Sequence, residues 1–217
     1  MTKPATPIIK DAQIAILADI TAGITDDAIG RRLMAEADRV VEMMRRKNPP
    51  ACPLACKSRC TSCCHRGVEV TVPEARTIFV HIATRFTPSE QAHFAARVVD
   101  VAERTKGMSA TERPRAAVPC AFLGDNGRCQ IYQVRPMMCR AVAATDAGGC
   151  RSAFMEGVTG AERTWDPPIQ HIKQVLSGTA SGYQLATGVR GAWELHTLLA
   201  AAYTKTAGAT AREPAVA

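Results

Sequence analysis

Nine cysteines in 217 residues constrain this chain more than any other feature, because they fall into two blocks. Five stand at positions 52, 56, 60, 63 and 64, and four at 120, 129, 139 and 150. The opening MTKPATPIIKDAQ lacks the apolar stretch of a secretory leader. The expected compartment is therefore the cytoplasm, where a disulfide framework is disfavoured. An odd count would in any case leave one thiol unpaired. Clustered thiols in a reducing compartment point to metal.

A thiolate metal site needs several deprotonated sulfurs round one point. Cys60-Thr61-Ser62-Cys63 can deliver two of them from a tight turn. Cys63 and Cys64 are adjacent, and neighbouring side chains diverge, so the pair is not expected to chelate one ion. One binds; the other serves a second metal, packs as a small apolar residue, or is a reactive thiol. Cys120 and Cys129 flank the turn Gly124-Asp125-Asn126-Gly127, Cys139 follows Arg135-Pro136-Met137-Met138, and Cys150 follows two glycines. The candidate ligands are Cys56, Cys60, Cys63, Cys64, Cys120, Cys129, Cys139 and Cys150. Cys52, directly ahead of Pro53, is placed outside the set, and His65 is read as a bystander. Sulfur-only ligation suits zinc and an iron–sulfur cluster alike, and eight thiols exceed one four-ligand site, which favours a cluster. Cys56-x3-Cys60-x2-Cys63 has the spacing of the radical SAM motif. The repeated βα units that such an enzyme needs do not follow it, so that fold is set aside.

The rest of the chain reads as ordinary globular protein: 47% hydrophobic, 22% charged, mean hydropathy −0.06. Aromatic residues make up only 5%, so a core must rely on aliphatic side chains. No apolar run is long enough to span a membrane. The formal charge of +7 counts every cysteine as neutral. A divalent ion held by four thiolates lowers it by two, to +5 with one site and +3 with two. The densest basic group, Arg31, Arg32, Arg45, Arg46 and Lys47, reads as a solvated helix face, and no nucleic-acid motif accompanies it.

The expected fold is mainly α with a small β-hairpin: one cysteine-rich, metal-centred domain. Residues 1–24 form an N-terminal segment whose first eleven residues are loose and whose 12–22 form a short helix. The domain spans 25–205, with its cysteine core at 52–150 and C-terminal helices at 166–205. Residues 206–217 are a flexible tail. Thr25 caps a helix carrying Leu33, Ala37, Val40, Val41 and Met44 on one face, ended by Asn48-Pro49-Pro50. Residues 68–72 suggest a short strand. Thr71/Glu74 and Thr87/Glu90 are capping boxes for helices reaching about Arg85 and Lys106. Residues 107–119 read as a loop. The turn at 124–127 suggests the hairpin, with Tyr132 in its core and Pro136 ending its second strand. Ile169, Ile172, Val175 and Leu176 share one helical face, and Leu195, Leu198, Leu199 and Ala202 another.

The second block, PCAFLGDNGRCQIYQVRPMMCR followed by Cys150, resembles the CxxCxxCC cysteine-cluster family of YkgJ type, over about residues 52–150. The matching positions are Cys60, Cys63 and Cys64, then Cys120, Cys129, Ile131, Tyr132, Arg135, Pro136, Cys139 and Arg140. Cys56 stands one residue ahead of the family position, where this chain has Lys57. The resemblance implies a zinc- or iron-chelating domain. It also implies that Arg135 and Arg140 lie beside the sulfurs and offset their negative charge. Flagellin lysine methylases look similar in their cysteines, so one alternative is an enzyme that modifies protein side chains; another is a metal-handling protein with exchangeable sites. No glycine-rich nucleotide loop, GxSxG or HExxH is present. Partners are unnamed by the sequence, a protein substrate belonging to the enzyme alternative alone.

Overall fold

A computed structural model describes residues 6–156, 158 and 164–209. The element order is α1 (Pro7–Thr21), α2 (Asp26–Lys47), β1 (Glu69–Thr71), α3 (Val72–Arg85), α4 (Pro88–Arg104), α5 (Glu112–Arg115), α6 (Met137–Ala141), α7 (Ala147–Phe154), α8 (Asp166–Thr187), β2 (Ala192–Glu194) and α9 (Leu195–Ala209). Short 3-10 turns occupy Ser62–His65 and Tyr132–Val134.

Local chemistry explains most boundaries. Thr25 caps α2 through Ala28 N–H, with Asp26 and Asp27 in the first turn and Arg45, Arg46 and Lys47 in the last. Thr71/Glu74 and Thr87/Glu90 form both halves of their capping boxes, each with a proline in the first turn. α1 begins earlier than its apolar pattern suggests, because Thr6 caps it and Pro7 opens it. The segment 107–119 contains the one-turn α5, and α9 continues to Ala209. The last eight residues of the expected tail lie outside the described residues.

The β structure is not the local hairpin expected at 120–135. The turn there forms, with Gly127 at φ +73°, but it closes by a single bridge between Leu123 and Cys129. Tyr132 is 60% exposed, because its run coils into a 3-10 turn, and Pro136 caps α6 rather than ending a strand. The two-stranded antiparallel sheet pairs β1 with β2, Val70 opposite Trp193. It ties the start of α3 to the start of α9.

Two large apolar clusters hold the helices. Ile78, Ile82, Phe94, Val98, Val101, Phe122, Ile131, Leu195 and Leu199 form one, between α3, α4, α9 and the second cysteine loop. Ala37, Val40, Met137, Ala141, Ile169, Ile172 and Leu176 form the other, between α2, α6 and α8. α1 packs on α8 so closely that a Cβ at Gly178 would lie 2.3 Å from the Ile9 carbonyl oxygen. Backbone cannot yield as a side-chain tip can. Gly178→Ala is therefore expected to destabilise by about 1–3 kcal/mol, read as a lower urea midpoint at unchanged slope. An unchanged midpoint would show that the helices separate freely.

Candidate metal centre

The cysteines sit where the chain has least regular structure. Residues 51–61 form a loop, Cys63 and Cys64 ride the 3-10 turn, and Cys120 and Cys129 flank the bridged turn. Cys139 lies in α6 and Cys150 in α7. Backbone hydrogen bonds lace these pieces together. Cys120 N–H donates to the Cys64 carbonyl at 2.8 Å, joining the two blocks. Ala55 N–H donates to the Ala144 carbonyl at 2.8 Å, and Ala144 N–H donates to Cys56 Sγ at 3.3 Å. Among the described residues, two non-glycine residues adopt left-handed backbone, Arg59 at φ +68° and Ala117 at φ +50°. Arg59 directly precedes Cys60 and Ala117 stands three residues before Cys120, and such strain persists only where surrounding contacts hold it.

Electrostatic coupling divides the thiols. Burial pushes Cys139 well above the ordinary thiol value, and Cys120, Cys63 and Cys129 push it further. Burial raises Cys129 to about 11, with Cys120 and Cys63 adding to the rise. Cys64 feels Cys63, Cys120 and Cys139. On the other side, burial raises Cys150 to about 12, and Cys56, Cys63 and Cys60 contribute. Cys56 is also raised, first by burial and then by Cys60 and Cys63. One group is thus Cys64, Cys120, Cys129 and Cys139; the other is Cys56, Cys60 and Cys150. Cys63 lies between them. Its hydrogen bond with Cys64 lowers it to about 7 and raises Cys64, and Arg135 and Arg66 favour its thiolate.

The packing follows the same division. Cys120 and Cys129 back onto the large α3–α4–α9 cluster. Cys150 is buried with Ala144, Ala153 and Phe154, and Cys63 packs against them. Cys52 and Cys56 are exposed. His65 is buried, with Nδ1 3.1 Å from the Thr61 carbonyl oxygen.

The two motif arginines do different things. Arg135 lies over the Tyr132 ring at 4.1 Å, and its charge favours the thiolates of Cys63, Cys129 and Cys139. Arg140 instead donates to the Arg135 carbonyl at 2.8 Å and the Gln133 carbonyl at 2.6 Å, and pairs with Asp38 on α2. It clamps the loop rather than facing sulfur. Glu74 does similar work from below: the Met137 N–H at the start of α6 donates to its Oε1 at 2.8 Å.

Sequence reading missed Arg66, Glu74, Arg113, Glu194 and His196 as neighbours of the site. His196 is fully buried; its Nδ1 lies 2.9 Å from Glu194 Oε1, and Ala121 N–H donates to its Nε2 at 3.2 Å. Glu194 and Cys120 are the charged side chains beside it. A lone histidine 76 residues after Cys120 gives no spacing signal.

Eight clustered thiols fit a soft metal such as zinc or iron. Among the described residues no three His, Cys, Asp or Glu side chains already converge as a ligand cage, so closure on a metal requires the sulfurs to swing inward. No helix among the described residues is long and apolar enough to cross a membrane. The family model CxxCxxCC, described as "Putative zinc- or iron-chelating domain", matches residues 55–166, more than half of the chain, and the chain belongs to that family. No curated protein and no solved structure gives a significant match.

Proposed function

We propose that this member of the CxxCxxCC family binds metal at two adjacent thiolate centres that brace its loops. Cys64, Cys120, Cys129 and Cys139 hold one centre; Cys56, Cys60, Cys63 and Cys150 hold the other. What supports this reading is that Cys64 is raised by Cys120 and Cys139, and Cys150 by Cys56, Cys63 and Cys60, with Cys63 and Cys64 carried side by side on one 3-10 turn between the two sets. Each group draws on distant segments, so metal would cross-link the chain much as a structural zinc site does. Bound metal supplies the positive charge that lets buried sulfurs exist as thiolates.

Two four-thiol groups accommodate zinc as readily as iron–sulfur clusters, which removes the preference that eight thiols gave to a cluster. Metal and acid-labile sulfide analysis of anaerobically purified full-length protein decides between them. Two zinc ions per colourless chain, or brown protein with iron and sulfide in similar amounts, would support metal–thiolate centres. Protein that purifies, and reconstitutes, without stoichiometric metal would sink the reading.

The ligand boundary makes a separate prediction. Cys52→Ser is expected to keep the wild-type metal content, because Cys52 precedes the family match, which begins at residue 55. Cys139→Ser is expected to lose about half of it, the share of one of two proposed centres. Equal loss in both variants, measured by elemental analysis, would place the boundary wrongly.

A further inference from the structure

Beside Cys120 lies a chain of charged and polar groups, with His196 buried at its centre, that the resembling motif does not include. Glu194 ends β2 at the mouth of α9. Its Oε2 accepts the Thr197 N–H at 2.9 Å, fixing the carboxylate on the helix N-terminus, while Oε1 lies 2.9 Å from His196 Nδ1. The His196 ring stacks against Phe122, with centroids 6.3 Å apart, and Nε2 accepts the Ala121 N–H. Nε2 therefore faces the backbone immediately after Cys120, and the ring is held from both sides. With Nε2 accepting, the ring proton sits on Nδ1 and donates to Glu194, which sets the tautomer.

A second observation points the same way. Arg113 of α5 is 3% exposed. Its Nη1 donates to the Val118 carbonyl, two residues before Cys120, but its buried Nε and Nη2 have no hydrogen-bond partner among the described residues. The negative charges it feels are those of Glu194 and Cys120. A buried cation short of partners is costly unless negative charge lies close by. Four thiolates round a divalent ion carry a net charge of −2 and would supply it.

We infer that His196, oriented by Glu194, is a positioning residue for the Cys120 sulfur, and that Arg113 balances the charge of the centre to which Cys120 belongs. This rests on the two-centre reading. In metal sites such outer partners fix ligand orientation, and their loss costs about 10–100-fold in affinity. His196 and Arg113 neighbour Cys120, and the charges acting on Cys56 and Cys150 include neither of them, so the effect is expected at one of the two centres.

The test uses full-length protein produced with Co²⁺ in place of the native metal, whose visible spectrum reports the ligand geometry. Wild type should release Co²⁺ to a chelator in two phases, one of which is missing from Cys129→Ser. In His196→Leu that same phase should show about 10–100-fold weaker retention and a shifted spectrum, while the phase missing from Cys150→Ser is unchanged. His196→Gln, which keeps an acceptor for Ala121 N–H, should restore much of the wild-type spectrum. Arg113→Met should weaken the same phase. Should His196→Leu fail to fold, Glu194→Gln carries the test, because it loosens the ring without emptying its site. Wild-type spectra and release in folded His196→Leu or Glu194→Gln would overturn the inference while leaving the two centres standing. A wild-type chain that takes up no Co²⁺ would overturn both.

Discussion

Stripping metal from the full-length protein is expected to release the two cysteine loops together with α6 and α7, and to lower the melting temperature by on the order of 10 °C or more. α6 has five residues and α7 eight, far below the length at which a helix is stable alone. Among the described residues, none of 51–61 enters either large apolar cluster, whereas the loop at 116–131 is held to the α3–α4–α9 cluster by Val118, Ala121, Phe122 and Ile131 and should loosen only around its cysteines. Trypsin reads this directly, because Lys57, Arg59, Arg128 and Arg151 lie in the affected segments. Cleavage at those sites should accelerate on chelation while α2, α3, α4 and α8 stay protected. From the sequence, with its few aromatics, metal dependence is expected over all of 52–150. The structure narrows it, because α3 and α4 lie inside that interval and bury Ile78, Ile82, Phe94 and Val98 in the cluster they share with α9 and the second cysteine loop. An unchanged cleavage pattern and melting temperature would show that the centres are not scaffolds and would favour exchangeable metal handling.

Glu74→Ala is expected to destabilise the protein by about 3–5 kcal/mol. Glu74 is fully buried. Its Oε2 accepts the Thr71 N–H at 2.9 Å and the Thr71 hydroxyl at 2.8 Å, and its Oε1 accepts the Met137 N–H at 2.8 Å. Alanine abolishes half of the α3 capping box and leaves two buried N–H groups unsatisfied, each costing about 1–3 kcal/mol. One of them begins α6, so Cys139 should lose its placement too. The pH dependence has a definite sign. Burial raises the Glu74 pKa, and the hydrogen bonds from Thr71 and Met137 and the charge of Arg140 offset this only in part. A carboxyl that holds its proton more tightly when folded takes up a proton on folding. Its contribution to stability is therefore complete in acid, below its unfolded value, and is lost as pH rises through its folded value. The stability difference between wild type and Glu74→Gln, from urea unfolding across that window, should shrink with rising pH. A difference that grows with pH would contradict the burial argument.

Where the chain's structure is set by near neighbours, it was legible in the residues. Thr25, Thr71 and Thr87 cap the expected helices, and Ile169, Ile172, Val175 and Leu176 are buried together in α8. What was not legible depends on distant partners. β1 finds its strand 123 residues later, at Ala192–Glu194, and no local pattern announces such a pairing. The 132–134 run has β-prone residues, but tertiary packing coils it and turns Tyr132 outward under Arg135. At the centre, residue type and clustering singled out the thiols as candidate ligands, and adjacency led to the expectation that Cys63 and Cys64 diverge, whereas their side chains hydrogen-bond to each other. Which thiols group together, and that Arg140 clamps carbonyls while His196 and Arg113 stand behind Cys120, follow only from how α6, α7 and α9 meet the loops.

The account's central claim is the division of eight thiols between two centres, and one measurement tests it most directly: the metal content of Cys129→Ser, Cys150→Ser and the double variant, each purified as folded full-length protein. Each single variant should retain about half of the wild-type metal, and the double variant almost none. Complete loss of metal in either single variant, or wild-type metal in both, would contradict it.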